Sequence, residues 1–359
     1  MKTILFILNP ISGTVNKENI ALLIEENIDK SKFDYSIQYT ECAGHAEEIA
    51  RKAAADKVEV VVAVGGDGTV NEVARGIIDT DTALAIIPCG SGNGLARHLM
   101  LPLSVKDAIS IINEFEVHRL DYGVIDGHPF LCTCGMGFDA FIAEKFASAG
   151  KRGLMTYVEK IFKDGLSYES ETYSYSIDGQ EPVEKKAWLI SCANASQYGN
   201  NAYIAPQASM RDGELDIVVM EPFNLLNAVS VNMEMINKTL DKNSRTSMFK
   251  GKCVTVTREK PGFIHFDGEP VMANETVEVH LVEQGINVVV NGNADTSKRR
   301  PHMFQNAMSA FFNDVDTLQR AITEKRKIIQ QDIVEKGKTI HRKNQDLLSK
   351  LTGGNTHID

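Results

Sequence analysis

Apolar positions along the first third of the chain fall into short continuous runs separated by amphipathic stretches. Ile4–Leu8, Val58–Val64 and Leu84–Pro88 are almost wholly apolar and rich in β-branched residues, as strands covered on both faces are. Between them, Lys17–Lys30, Gly44–Asp56 and Thr69–Ile78 keep helical spacing, and Leu95–Leu99 opens another helix. Residues 1–122 are therefore predicted to be a doubly wound α/β domain with a largely parallel sheet. The rhythm changes from Gly123. Shorter runs follow at Tyr173–Ile177, Ala187–Ala193, Leu215–Met220, Cys253–Thr257, Thr276–Val282 and Ile286–Val290, with Asp178-Gly179 as a hairpin signal. Residues 123–297 are expected to form an antiparallel β-sandwich with helical insertions at Phe138–Gly150 and Phe223–Asp241. From Lys298 to Asp359, apolar positions such as Val315, Leu318 and Ile322 return at near-helical spacing, which predicts a helical C-terminal extension.

The chemistry concentrates where the predicted strands end. Val64 runs into Gly65-Gly66-Asp67-Gly68-Thr69, Pro88 into Cys89-Gly90-Ser91-Gly92-Asn93-Gly94, and Leu8 into Asn9-Pro10-Ile11-Ser12-Gly13. Glycines at such breaks let the backbone turn tightly and bring free N–H groups close to an anion, and a helix N-terminus adds its dipole. In an open α/β sheet these loops share one edge, so all three can line one crevice. Asp67 is out of place in a simple anion cradle. A carboxylate among phosphates makes sense with Mg²⁺ between them or as the group orienting a hydroxyl; the alternative is a helix-capping acid.

The ordered motifs resemble the diacylglycerol kinase catalytic-domain family, which includes sphingosine and ceramide kinases and soluble bacterial lipid kinases. They are Asn9-Pro10 with Ser12-Gly13, Thr40 to Ala46, Val64 to Val73, Pro88 to Asn93, Asp121-Tyr-Gly123, Gly135 to Asp139, Asp212 to Asp216 and Phe266 to Pro270. The resemblance spans residues 1 to 292 and implies an ATP- and Mg²⁺-dependent lipid kinase, with the catalytic cleft between its two domains. It implies that ATP is met by Asn9, Pro10, Ser12, Gly13, Thr40, the loop Gly65, Gly66, Asp67, Gly68, Thr69 and Asn71, and by Gly90, Ser91 and Asn93. The lipid hydroxyl needs a base. Glu269 is the first expectation for that role, Asp267 the next, Asp67 a rival, and Asp121 a member of the same acidic network. Asp212, with backbone oxygens near Ser209 and Glu214, resembles a structural Mg²⁺ loop; a plain Asp-Gly turn fits the same residues. Glu72 reads equally well as an ordinary first-turn acid, and His265 and Trp188 as structural residues.

Charge and composition narrow the partners. The net charge is −10, which argues against nucleic acid because no basic groove is evident. Six cysteines show neither zinc spacing nor a secreted disulfide pattern. With no signal-peptide core and no run of about 18 apolar residues, a cytoplasmic enzyme that visits the membrane surface for its lipid is expected. The 298–359 segment carries 12 Lys+Arg and 7 Asp+Glu, about +5, leaving about −15 on the rest. Such a basic amphipathic helix suits an anionic membrane surface, while a helix packed on its own chain or on the mate in a homodimer suits the same pattern. Two other functions fit the glycine-rich loops: an NAD-kinase-like enzyme with a soluble substrate, and a nucleotide-binding regulator without catalysis.

Overall fold

The computed structural model describes residues 1–11, 17–148, 168–222 and 225–294. The predicted extension at 298–359, together with Ser12 and Gly13, lies outside the described residues. The N-terminal part runs β1 (Lys2–Leu8), α1 (Lys17–Asn27), β2 (Phe33–Tyr39), α2 (His45–Ala55), β3 (Val60–Gly65), α3 (Asp67–Ile77), β4 (Ala83–Pro88), α4 (Gly94–His98) and α5 (Val105–Glu114). Strands β2, β1, β3 and β4 lie side by side and parallel. Every residue of β3 and β4 is buried, because helices cover both faces of the sheet. Gly65 is in register with Pro88, so the two strands end level and release their loops side by side.

The second part contains β5 (Val117–Ile125), β6 (His128–Phe130), β7 (Thr133–Gly137), α6 (Phe138–Ser148), β8 (Glu171–Ile177), β9 (Val183–Ala187), β10 (Leu189–Ala193), β11 (Leu215–Met220), α7 (Leu225–Asn237), β12 (Thr246–Gly251), β13 (Cys253–Arg258), β14 (Gly262–Phe266), β15 (Glu269–Ala273) and β16 (Thr276–Val289). Strands β12-β11-β10-β7-β14-β15 form a six-stranded antiparallel sheet. It packs against β13, β8, β5 and β16 around a core that includes Phe130, Met136, Ile190, Ile217 and Val256. This is the expected antiparallel sandwich behind an α/β layer. The run Ala187–Ala193 proves to be two strands separated at Trp188, and the pair Thr276–Val282 and Ile286–Val290 proves to be one strand. The position expected to divide the two domains, 122/123, falls inside β5.

That last strand joins the two halves. Near its start β16 alternates buried and exposed residues and pairs antiparallel with β13, as one face of a sandwich requires. A register shift lies between Val282 and Ile286. Beyond it the strand becomes almost continuously buried, and Asn287 and Val288 pair parallel with Ala83 and Leu84 of β4. The strand thus passes from a one-sided to a two-sided environment, and its side-chain pattern changes with it. The ten-stranded sheet runs without interruption from the α/β layer into the sandwich.

Ile286 is 1 % exposed in this shared strand. Ile286→Ala is expected to lower stability by about 2–5 kcal/mol. Far-UV circular dichroism and the fluorescence of Trp188 should follow the same urea transition in both proteins; two separated transitions would show that β16 does not couple the halves.

Candidate active site

The loops after β3 and β4 touch backbone to backbone. A Cβ on Gly90 would lie 2.6 Å from Gly66 Cα, and one on Gly66 would lie 3.2 Å from Gly90 Cα. Only two glycines permit this approach. Asn93 closes the second loop from within: its Oδ1 accepts from Gly90 N–H at 2.9 Å and its Nδ2 donates to Gly90 O at 2.8 Å. Its own φ of 51° is in the left-handed region, which asparagine tolerates better than most residues. Asp67, first residue of α3, reaches across this junction and accepts Gly94 N–H at 2.6 Å. Burial, and then the neighbouring Asp267 charge, push its carboxyl above the ordinary range, against the pull of backbone N–H groups.

Asp267 belongs to the hairpin between β14 and β15. Positive φ angles at Asp267 (46°) and Gly268 (86°) make the tight turn that a two-residue Asp-Gly connection favours. Its carboxylate accepts four N–H groups: Leu131 (2.8 Å), Cys132 (2.8 Å), Thr133 (3.0 Å) and Asn71 Nδ2 (2.8 Å). Both oxygens are thereby committed as acceptors. Glu269 behaves differently. It is on β15, its side chain is 41 % exposed, and its Oε2 lies 3.1 Å from Arg75 Nη1. Arg75 also holds Glu47 at 2.9 Å and stands over the Phe266 ring. Asn71 and Arg75, one turn apart on α3, thus grip both acids of the hairpin from the α/β side.

Asp67, Ser91, Gly92 and Asp267 line the polar mouth of a cavity of about 390 Å³. Its depth is apolar, formed by residues such as Phe138, Ile142, Phe146, Leu189, Val231 and Met235. The helices predicted as insertions therefore build its wall. Trp188 also lines it, stacked on Phe138 at 3.7 Å between centroids. Beside Asp267 the wall carries Asp139, Tyr198 and His265. Tyr198 Oη donates to Asp139 Oδ2 at 3.1 Å. His265 and Tyr198 are site residues that sequence reasoning passed over. A usable signal stood just upstream of Tyr198: Asn194, Ser196 and Gln197 are polar yet wholly buried, immediately after an apolar strand. Asn194 donates to Asp121 O and Leu131 O, and Ser196 meets His98 of α4.

The other expected residues divide. Asn9 donates to Thr69 Oγ1 at 3.1 Å and accepts from Ile11 N–H, and Thr40 is buried with its N–H on Leu8 O. Together with Pro10 they stand at the same sheet edge as the glycine loops. Gly65 ends β3, Gly66 caps α3 and Gly68 has open space where a side chain would be. Glu72 accepts Ala46 N–H and so serves the start of α2. Asp121 does not line the cavity. Buried at 3 % exposure, it accepts Gln284 N–H and Gly213 N–H and ties β5 to two turns.

The Asp212 loop is occupied by charge of this chain's own. Lys250 Nζ lies 2.6 Å from Asp212, 3.5 Å from Glu214 and 3.7 Å from Asp216, and Ser209 Oγ accepts Arg211 N–H. A resident Mg²⁺ does not fit a donor set that already surrounds an ammonium. No group of three or more ligating side chains suited to a metal occurs among the described residues.

Residues 3–125 match the diacylglycerol kinase catalytic domain, and residues 132–290 match the YegS C-terminal NAD kinase beta sandwich-like domain. The chain belongs to the diacylglycerol kinase catalytic-domain family. It is 27 % identical over 277 residues to a diacylglycerol kinase of Bacillus subtilis, covering 75 % of this chain and 90 % of the relative. It is 26 % identical over 267 residues to one of Staphylococcus saprophyticus, covering 73 % and 87 %. A solved diacylglycerol kinase structure from Bacillus anthracis shares the fold, with a TM-score of 0.64, 22 % identity, and 81 % of this chain and 97 % of that one covered. Family membership makes this a lipid-kinase-like protein, and the kinase family implies ATP use.

The two hairpin acids are expected to respond very differently to substitution. Asp267→Asn leaves an amide facing four N–H donors and should cost about 2–5 kcal/mol. Glu269→Gln breaks a half-exposed ion pair and should cost under about 1 kcal/mol. Equal losses in chemical unfolding would contradict this division.

Proposed function

We propose that the chain is an ATP- and Mg²⁺-dependent lipid kinase that phosphorylates a hydroxyl at the head of a lipid held in the apolar cavity. The observation that carries this reading is the cavity itself, apolar in its depth and bounded at its mouth by Asp67, Asp267 and the paired glycine loops. A hydrocarbon chain gains about 0.8 kcal/mol for each CH₂ removed from water there, and its hydroxyl is left at the carboxylates.

The nucleotide phosphates belong at the glycine junction, where unbranched backbone lets an anion come close. Phosphoryl transfer asks the protein chiefly for positioning and charge balance. Asp267 supports a fixed negative charge beside Asp67. Mg²⁺ arriving with the nucleotide would offset the phosphate charge, and the mutual repulsion of Asp67 and Asp267 is what a cation at this mouth relieves. Asp67 is the proposed proton acceptor, in place of Glu269, because burial raises its proton affinity toward that of a useful base. The lipid oxygen attacks the γ-phosphorus, the bond to the β-phosphate oxygen breaks, ADP leaves, and the hydroxyl proton passes to Asp67. Glu269 and Arg75 hold the hairpin in place.

Among the described residues no helix is long and apolar enough to cross a membrane. In this proposal the lipid, diacylglycerol or a relative such as a sphingoid base, is drawn from a bilayer surface. The basic 298–359 segment, about +5 on a body of about −15, supplies attraction to an anionic leaflet.

The test is transfer of labelled phosphate from ATP with Mg²⁺ to detergent-dispersed lipids, with NAD alongside. Label should enter a lipid, Asp67→Asn should lower the rate by at least about 100-fold, and Glu269→Gln should lower it much less. A base is active only when deprotonated, so the rate should rise with pH through a limb above the ordinary carboxylate range. Label in NAD alone, or full activity in Asp67→Asn, would overturn the reading.

A further inference from the structure

His265 and Asp139 form a polar step in the cavity wall that the transfer chemistry leaves unused. His265 is 2 % exposed, and Asp139 is nearly as deep. Gly268 N–H points to His265 Nδ1 at 3.4 Å. That makes Nδ1 the acceptor, and the ring hydrogen resides on Nε2. Nε2 lies 3.0 Å from Asp139 Oδ2, yet the N–H is out of line with it, and Nε2 has no hydrogen-bond partner. A buried donor without a partner costs free energy, and this one lies in the wall of a ligand-sized cavity. Asp139 is steadied from behind: Ala140 N–H donates to its Oδ1 and Tyr198 Oη to its Oδ2. The step therefore presents an N–H donor and a carboxylate acceptor side by side.

Resting on the lipid-kinase reading, we infer that this pair is a subsite for a second, free hydroxyl of the acceptor lipid, so that the chain takes a dihydroxy lipid of the monoacylglycerol kind. A hydroxyl matches both members at once, accepting from Nε2–H and donating to Asp139. An ester carbonyl, as in a diacylglycerol, can only accept, and turns its lone pairs toward the carboxylate. An ammonium can only donate, and turns N–H toward N–H. One hydroxyl of the lipid sits at Asp67 for transfer, the second sits at His265 and Asp139, and the acyl chain fills the apolar depth.

The experiment compares a 1-monoacylglycerol with the 3-hydroxypropyl ester of the same fatty acid, which lacks only the secondary hydroxyl. Binding to the full chain in detergent is read from Trp188, the only tryptophan, which lines the cavity. Phosphate transfer is measured in parallel. The dihydroxy lipid should bind at least about tenfold more tightly. His265→Phe should bring the ratio close to one, while His265→Asn, which keeps a donor, should preserve part of it. A wild-type ratio near one, binding of neither lipid, or an unchanged ratio in His265→Phe would overturn the inference. The wild-type ratio decides the matter even where the phenylalanine variant does not fold. A binding preference without phosphate transfer to either lipid would sustain the subsite and sink the kinase reading.

Discussion

Four N–H groups converge on the carboxylate of Asp267, three from the backbone at residues 131–133 and one from Asn71. The first three belong to the sandwich side, and the fourth comes from the helix that the first glycine loop opens. One side chain thus registers the glycine-loop half of the molecule against the cavity-bearing half. Hydrogen bonds to an ionised acceptor are stronger and shorter than neutral ones, and this acceptor is shared between the halves. The Arg75–Glu269 pair repeats the connection one helical turn away, in a more exposed and weaker form. The mouth of the cavity can hold Asp67 at a defined place because these contacts leave the hairpin little freedom.

Placement also explains why the four acids expected at the site differ in character. Asp67 is half-buried beside another carboxylate and has its proton affinity raised. Asp267 is saturated with donors, Glu269 faces an arginine, and Asp121 is consumed by two turn N–H groups. Chemistry at this mouth depends on surroundings far more than on residue type.

The legible parts of the fold were those written in local periodicity. The β3 and β4 runs are apolar throughout because both faces are covered, and the loops after them announce themselves through clustered glycines, of which Gly66 and Gly90 meet backbone to backbone. Thr276–Val282 and Ile286–Val290 read as two strands because the residues between them interrupt the pattern; the register shift there is set by pairing with β5, a contact between residues more than 150 apart. Among site residues, Asp67 and Asp267 were visible as acids flanked by glycine. His265 was not, because a histidine within an apolar strand looks the same whether its Nε2 faces a cavity or a packed neighbour. Lys250, which answers the charge of Asp212, is 38 positions downstream, beyond the reach of any motif. The apolar cavity itself is assembled from α6, α7 and the sandwich, and no single segment carries its signature.

The shared strand has a consequence for the order in which the protein can be made. Pro88 completes β4, but the strand that pairs with the free side of β4 is not finished until Val288 has been synthesised. At about 5–20 residues per second this is roughly 10–40 s during which an apolar strand has an open edge. Such an edge can recruit any other extended chain nearby. The nascent α/β layer is therefore committed to a waiting period, protected only by its helices and by whatever attends the ribosome, and its sheet closes only when almost the entire sandwich has been translated.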